Sequence, residues 1–138
     1  MKAIELRVGN KVLYNQYYES VVTGVTEENG IFLRVPSQHS RIGCVEECVS
    51  GIILTEDWLK RFGFDCRDGE ISNKWHIGIN EITHDWLFDL VWLKGGDSNY
   101  GDYPFYRNGK FMIKSVNQLQ NLFFALTGEE LTEREQQP

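Results

Sequence analysis

The clearest pattern of apolar and polar positions lies near the end of the chain, in residues 115–128. Apolar residues recur there at helical spacing within an arc of about 120°, at Val116, Leu119, Leu122, Phe123 and Leu126. Ser115 and Gln118 have the spacing of a capping box, and Gly128 fits the left-handed position after a helix. The pattern predicts a helix over 115–127, against which the remainder of the chain packs.

The other faces of this helix carry side-chain amides and one further aromatic residue. We expect four amide residues opposite the apolar arc: Asn117, Gln118, Gln120 and Asn121. Phe124 falls outside the arc as well. A phenylalanine in that place covers the edge of a neighbouring sheet or contacts another chain.

Residues 4–54 are rich in β-branched residues and in turn residues. Strands are predicted at 11–14, 20–26, 31–35, 41–49 and 52–54, with a hairpin turn at Glu28-Asn29-Gly30. Short strands at close spacing are typical of a small barrel or a curled sheet. We therefore expect residues 1–54 to form a barrel-like antiparallel sheet of the Src-homology-3-like (SH3-like) sort.

The second predicted subdomain, residues 55–131, begins with a short helix over 55–62. Thr55 is its N-cap, Gly63 ends it, and Leu54 and Leu59 are placed as a hydrophobic staple. A turn is predicted at 66–70, strands at 71–80 and 82–94, and a hairpin at 105–114. The fold class is thus α+β, with a second antiparallel sheet packed by the C-terminal helix. We expect one compact unit followed by a frayed acidic tail, 132–138.

Composition and charge narrow the classes of protein. The chain has 138 residues, 41% of them apolar, and a formal net charge of −6. This charge argues against a general binder of the phosphate backbone, which needs a basic face. There is neither a window of about 20 apolar residues nor a signal-peptide core, so we expect a cytoplasmic protein with three reduced cysteines.

Three segments carry a family resemblance: residues 5–10 (ELRVGN), 54–64 (LTEDWLKRFGF) and 116–131 (VNQLQNLFFALTGEEL). Their order and spacing resemble a family of small uncharacterised proteins from Bacteroidetes genomes and their phages or mobile elements. The resemblance implies a bacterial or phage cytosolic protein. It brings no activity, cofactor or catalytic residue. The long loop at 95–104 and the cysteine-bearing segment 41–48 depart from the short form of that family.

Few side chains in the sequence are spaced for chemistry. On a strand, Cys44 and Cys48 would point the same way about 13 Å apart, too far for one metal ion, whereas on a helix they would lie close together. His39 and Cys66 could complete four metal ligands, but we expect buried structural thiols. His84-Asp85 could be a base with its orienting carboxylate, but a nucleophile elbow is missing. His76 is expected on the polar side of its strand. We assign no catalytic, cofactor-binding or metal-binding residue.

Tyrosines are concentrated in loops and at strand ends, where they suit contact with a peptide or another subunit as well as sealing of core edges. The tyrosines are Tyr14, Tyr17, Tyr18, Tyr100, Tyr103 and Tyr106. The predicted interaction surface consists of Tyr17, Tyr18, Tyr100, Tyr103 and Phe124.

The preferred function is a non-enzymatic protein-interaction or accessory module with a protein partner, without a cofactor and without a membrane. Self-association into a homo-oligomer is compatible with this function. One alternative is a small hydrolase or metal-dependent enzyme that uses His76, His84, Asp85 and a cysteine. A second alternative is a nucleic-acid-binding module, which the net charge disfavours.

Overall fold

The computed structural model describes residues 1–36, 41–68, 73–79, 86–93, 105–108 and 111–133. Within these residues the chain forms two five-stranded antiparallel sheets and two α-helices, which confirms the predicted α+β class. It divides into two compact units. The first unit is Met1–Ile53 with Ser115–Leu122, and the second is Leu54–Lys114 with Phe123–Pro138.

The sheet of the first unit has the strand order β4-β3-β2-β1-β5. Its strands are β1 (Lys11–Tyr14), β2 (Tyr18–Val25), β3 (Ile31–Arg34), β4 (Arg41–Cys44) and β5 (Val49–Ser50). Two short 3-10 turns, Ala3–Glu5 and Glu46–Cys48, accompany them. The chain runs as a meander from β1 to β4, and β5 then returns to pair with β1.

This sheet is open, so the closed barrel expected from the sequence is not what the described strands form. The predicted strand over 41–49 ends at Cys44, because Cys48 donates its N–H to Val45 O at 3.0 Å and so closes a turn. Residues 52–54 form a single bridge, Ile53 with Ser115, instead of the predicted strand. Their backbone groups bond to the start of the C-terminal helix, with Val116 donating to Ile52 O at 2.9 Å.

The core of the first unit follows from the period-two alternation of its strands. Ile31 and Leu33 are buried on β3, whereas Phe32 between them is half-buried on the other face. The Arg41 guanidinium lies 4.1 Å from the centroid of the Phe32 ring. The buried cluster consists of Ala3, Leu6, Val12, Val22, Ile31, Leu33 and Val49.

The second unit contains helix α1 (Glu56–Arg61) and a meander with the strand order β10-β9-β8-β7-β6. Its strands are β6 (Asp65–Asp68), β7 (Asn73–Ile79), β8 (Trp86–Leu93), β9 (Phe105–Asn108) and β10 (Phe111–Ile113). The turn predicted at 66–70 is therefore wrong for its first part. Residues 65–68 are a strand because each of them pairs with a residue of β7.

Helix α1 has the predicted cap and the predicted end. Thr55 Oγ1 accepts the N–H of Trp58 at 3.4 Å, and Gly63 has a φ of +88°. The Arg61 guanidinium stacks 3.6 Å from the centroid of the Trp58 ring and forms an ion pair with Glu133. Glu133 is thus held, and the rest of the predicted tail, 134–138, lies outside the described residues.

Three phenylalanine rings lie together in the core of the second unit. Phe88 is 6.1 Å from Phe64 and 5.3 Å from Phe123 between ring centroids, and both pairs are edge-to-face. Such pairs contribute about 0.5–1.5 kcal/mol beyond the area they bury. They fix the side of the second sheet on which Phe88 and Leu90 are buried.

Helix α2 (Val116–Thr127) confirms the C-terminal helix and its signals. Ser115 and Gln118 exchange two hydrogen bonds as a capping box, of 3.3 and 3.4 Å. Gly128 has a φ of +76° and donates to Phe124 O at 2.8 Å.

The buried face of α2 differs from the predicted one. Asn117 and Gln120, expected opposite the apolar arc, are 2% and 4% exposed, whereas Leu126, expected within it, is 55% exposed. Gln120 is buried because its Oε1 accepts the N–H of Lys11 at 2.8 Å and its Nε2 donates to Gly9 O at 3.2 Å. We call the group Arg7, Asn10, Gln120 and Asn121 the polar latch of the first unit.

Candidate functional site: an aromatic hairpin tip

The turn between β1 and β2 has an unusual backbone. Asn15 and Gln16 have φ of 51° and 61°, and Tyr17 donates its N–H to Tyr14 O at 3.2 Å. This is a type I′ turn, which requires two left-handed residues and usually contains glycine or asparagine. A glutamine in this conformation costs roughly 1–2 kcal/mol, so the surrounding contacts must hold the turn in place.

This turn brings two neighbouring tyrosines together. Tyr18 pairs with Tyr14 in the β-ladder, and Tyr17 lies just outside it. Successive strand residues point to opposite faces, but the Tyr17 and Tyr18 rings are 5.0 Å apart and nearly perpendicular, at 81°. Tyr17 is 78% exposed and Tyr18 44% exposed. The hairpin therefore displays a pair of aromatic rings that support each other at the surface.

A second segment lies beside this hairpin. Asn15 donates its backbone N–H to Cys48 O at 2.8 Å, which ties the tip to the 3-10 turn Glu46–Cys48. Val45, just before that turn, is 57% exposed, and Glu47 is exposed as well. We define the aromatic hairpin tip as Tyr17 and Tyr18 together with Val45 and Glu47 of the segment that the hydrogen bond from Asn15 to Cys48 O joins to the hairpin.

The other described members of the predicted surface have different surroundings. Phe124 is an exposed residue of α2 and belongs to the second unit, whereas Tyr17 and Tyr18 belong to the first. Tyr14 is half-buried against the core, and Tyr106 is buried, so these two seal core positions. Tyr100 and Tyr103, with the loop 95–104, lie outside the described residues.

An open hollow of about 330 Å³ is lined by Met1, Lys2 and Glu5 and by Glu46 and Glu47 of the same 3-10 turn. The Glu46 carboxylate in this hollow accepts a hydrogen bond from the backbone N–H of Ala3 at 2.8 Å. The N-terminal ammonium donates to Val49 O at 3.1 Å. These contacts fasten the first residues to the sheet, and acidic groups in an open hollow do not by themselves define a ligand.

The cysteines at 44 and 48 do not stand on one strand as predicted, because the 3-10 turn lies between them. Both are half-buried free thiols, and Cys44 packs against the hydrophobic core. Burial raises the pKa of Cys44, and the negative charge of a Cys48 thiolate raises it further. A thiol of this kind is less reactive than an exposed one. In the part of the chain that the structure describes, no three His, Cys, Asp or Glu residues are grouped to hold a metal ion.

The predicted catalytic residues are described only in part. His39, His84 and Asp85 lie outside the described residues, and Cys66 is placed only as a backbone position of β6. His76 in β7 is the register partner of Asp65 on one side and of Asp89 on the other. The sequence did not predict that these three residues occupy neighbouring positions on adjacent strands, because pairing across three strands leaves no signal in local spacing.

The chain matches no protein-family model, no curated protein and no solved structure. In the described part of the chain, neither helix combines the length and the apolar character needed to cross a membrane. We therefore base the function on the geometry of the aromatic hairpin tip.

Proposed function

We propose that the protein is a non-enzymatic protein-interaction module that presents the aromatic hairpin tip to a protein partner. The observation that carries this proposal is the exposed edge-to-face pair of Tyr17 and Tyr18 on a strained turn. Backbone strain in a surface turn that could have used glycine is a feature of functional positions. Two large rings left in water on such a turn point to a contact with another molecule.

The tip has the physical properties of a binding anchor. Tyrosine offers a large contact area with few rotatable bonds, so that little side-chain entropy is lost on binding. The perpendicular packing of the two rings limits their freedom further before any partner arrives. The hydrogen bond from Asn15 to Cys48 O holds the hairpin turn against the 3-10 turn Glu46–Cys48. Tyrosine is also among the residues enriched at interface hot spots.

The origin and cellular location belong to the same proposal. We propose a cytoplasmic protein of bacterial or phage origin, as the family resemblance implies. The shared segments 5–10 and 116–131 contain the polar latch, and 54–64 contains α1 with its cap. The residues of these segments have structural roles, which supports a fold in common with that family. The aromatic hairpin tip lies outside all three segments. The return of β5 to β1 supports an incomplete SH3-like arrangement for the first sheet.

A site-specific cross-linking experiment tests the proposed function. Tyr17→benzoylphenylalanine would be irradiated in a bacterial lysate, with Phe111→benzoylphenylalanine as the matched control on β10, where Phe111 is 57% exposed. We expect one discrete cross-linked protein from the Tyr17 position, which Tyr18→Ala in the same chain weakens. Equal labelling from both positions, or none from Tyr17, would contradict the proposal.

The alternative of a small enzyme is favoured by one observation. His76 is the strand partner of Asp65 in β6 and of Asp89 in β8, which places residue types that bind metal ions in one row across three strands. Elemental analysis of the purified protein provides the test. A stoichiometric transition metal that is lost in His76→Ala would favour a metal-dependent enzyme over the interaction module.

A further inference from the structure

The two segments that form the aromatic hairpin tip carry only negative charges in sequence. Residues 12–22 and 42–50, which supply the hairpin and the adjoining turn, contain Glu19, Glu46 and Glu47 but no lysine or arginine. The hydrogen bond from Asn15 to Cys48 O brings the two segments side by side. Lys2 and the N-terminal ammonium are the nearby cations, and they line the hollow with Glu46 and Glu47. The tip itself thus combines two aromatic rings with the Glu47 carboxylate.

Aromatic rings and carboxylates both attract cations. The face of a tyrosine ring attracts a cation, and the planar guanidinium of arginine stacks on such faces more often than lysine does. Two contacts of this kind lie among the described residues, with Arg41 on Phe32 at 4.1 Å and Arg61 on Trp58 at 3.6 Å. Among the residues that the structure describes, Tyr17 and Tyr18 have each other as ring partners and no stacked arginine.

We propose that the aromatic hairpin tip binds an arginine-containing basic segment of its protein partner. A guanidinium of that segment packs on the Tyr17–Tyr18 pair, and the Glu47 carboxylate supplies the opposite charge. The inference rests on the proposed interaction function and names the chemistry of its partner. The formal net charge of −6 favours approach of a basic chain and repels nucleic acid and acidic peptides.

The probe is a ten-residue peptide of alternating arginine and glycine, compared with the same peptide in which citrulline replaces arginine. Citrulline keeps nearly the same shape but is neutral, because a urea carbonyl oxygen replaces one nitrogen of the guanidinium. Binding to the full-length protein would be followed by amide chemical shifts in about 0.15 M salt, where long-range attraction is screened. We expect the arginine peptide to shift the amides of residues 14–19 and 45–48, and the citrulline peptide to leave them unchanged.

Matched variants separate the tip from the general negative charge. Glu47→Gln should weaken binding about threefold, as for an exposed ion pair, whereas Glu28→Gln removes the same charge from the β2–β3 turn and should have no effect. Replacing both Tyr17 and Tyr18 by alanine should weaken binding at least about fivefold. Phe111→Ala, which removes an exposed ring elsewhere, should not.

Several results would overturn the basic partner. They are shifts spread over all acidic segments, equal effects of Glu28→Gln and Glu47→Gln, equal binding of the citrulline peptide, or a preference for a single-stranded oligonucleotide of the same length. If the Tyr17 cross-link forms in the lysate but the arginine peptide does not bind, the interaction function stands and the basic partner is wrong. If both fail, both proposals are wrong.

Discussion

The side-chain amide of Asn10 donates to Oδ1 of Asn121 at 2.9 Å, which joins residues 111 positions apart in the chain. Asn10 is 1% exposed, and its own Oδ1 accepts the N–H of Arg7 at 2.7 Å. Asn121 in turn donates to Glu5 O at 2.9 Å. Directional hydrogen bonds therefore join the segment before β1 to the first part of α2. They fix one alignment of this part of the helix relative to that segment within the first unit.

This relationship predicts coupled losses of stability. Asn10→Ala should lower the free energy of unfolding by about 1–3 kcal/mol, because it leaves the N–H of Arg7 without its acceptor. Combined with Asn121→Ala in a double-mutant cycle, urea unfolding should give a coupling energy of about 0.5 kcal/mol or more. As a control, the stability losses of Asn10→Ala and Thr55→Ala should be additive, because the side chains of Asn10 and Thr55 take part in separate hydrogen bonds. Additivity in both cycles would contradict the latch.

Two glutamines of α2 provide a matched comparison. Gln120→Ala should cost about 1–3 kcal/mol, because the backbone N–H of Lys11 and the carbonyl of Gly9 both lose their partner. Gln118 is exposed, and Gln118→Ala removes a capping-box acceptor, which should cost about 0.5–1 kcal/mol. Thermal and urea unfolding of both variants check the difference. Equal losses would show that burial of Gln120 contributes nothing.

The helix itself could be predicted from the sequence, but its buried face could not. Local signals such as Ser115, Gln118 and Gly128 depend on neighbouring backbone groups and were read correctly. The burial of Gln120 depends on backbone groups at Gly9 and Lys11, which are distant in sequence. Hydrophobic periodicity assigns every amide to water, so it misses amides that serve as hydrogen-bond partners for buried backbone.

The candidate site was predictable to a similar degree. Exposed tyrosines at Tyr17 and Tyr18 were expected from composition, whereas the ring pair depends on the left-handed Asn15 and Gln16, which carry no glycine signal. The barrel was over-predicted for a related reason. A strand was predicted over the whole of residues 41–49, and the local sequence alone does not reveal that the chain turns after Cys44.

Two leucines of α2 test which residues form its buried face. Leu119 is fully buried, and Leu119→Ala should cost about 2–5 kcal/mol from lost transfer energy and the cavity left behind. Leu126 was predicted on the same apolar arc but is 55% exposed, so Leu126→Ala should change stability by less than about 0.5 kcal/mol. Equilibrium unfolding in urea distinguishes them. Similar losses would restore the arc predicted from the sequence.

The strained turn predicts a glycine substitution that does not destabilise. Gln16 has a φ of 61°, so Gln16→Gly should remove a left-handed penalty of roughly 1 kcal/mol, offset in part by the greater freedom of glycine in the unfolded chain. The same change at Glu19, an exposed residue within β2, should destabilise by about 0.5–1 kcal/mol. Melting temperatures of the two variants provide the check. A loss at position 16 as large as at position 19 would contradict the turn geometry.

The thiol of Cys44 predicts a pH dependence of alkylation. Burial in the first place, and the Cys48 charge in the second, raise the pKa of Cys44, so the thiolate that reacts with iodoacetamide forms only at higher pH. In a Cys66→Ser chain, the midpoint of the Cys44 rate profile, followed by mass spectrometry, should lie above that of N-acetylcysteine amide, which has no carboxylate next to its thiol. Adding Cys48→Ser should lower it only in part, because burial is the larger cause. Since the folded state resists ionisation, stability should also fall as pH rises from the ordinary thiol range towards the raised pKa. A midpoint at or below that of N-acetylcysteine amide would mean that Cys44 is not packed against the core.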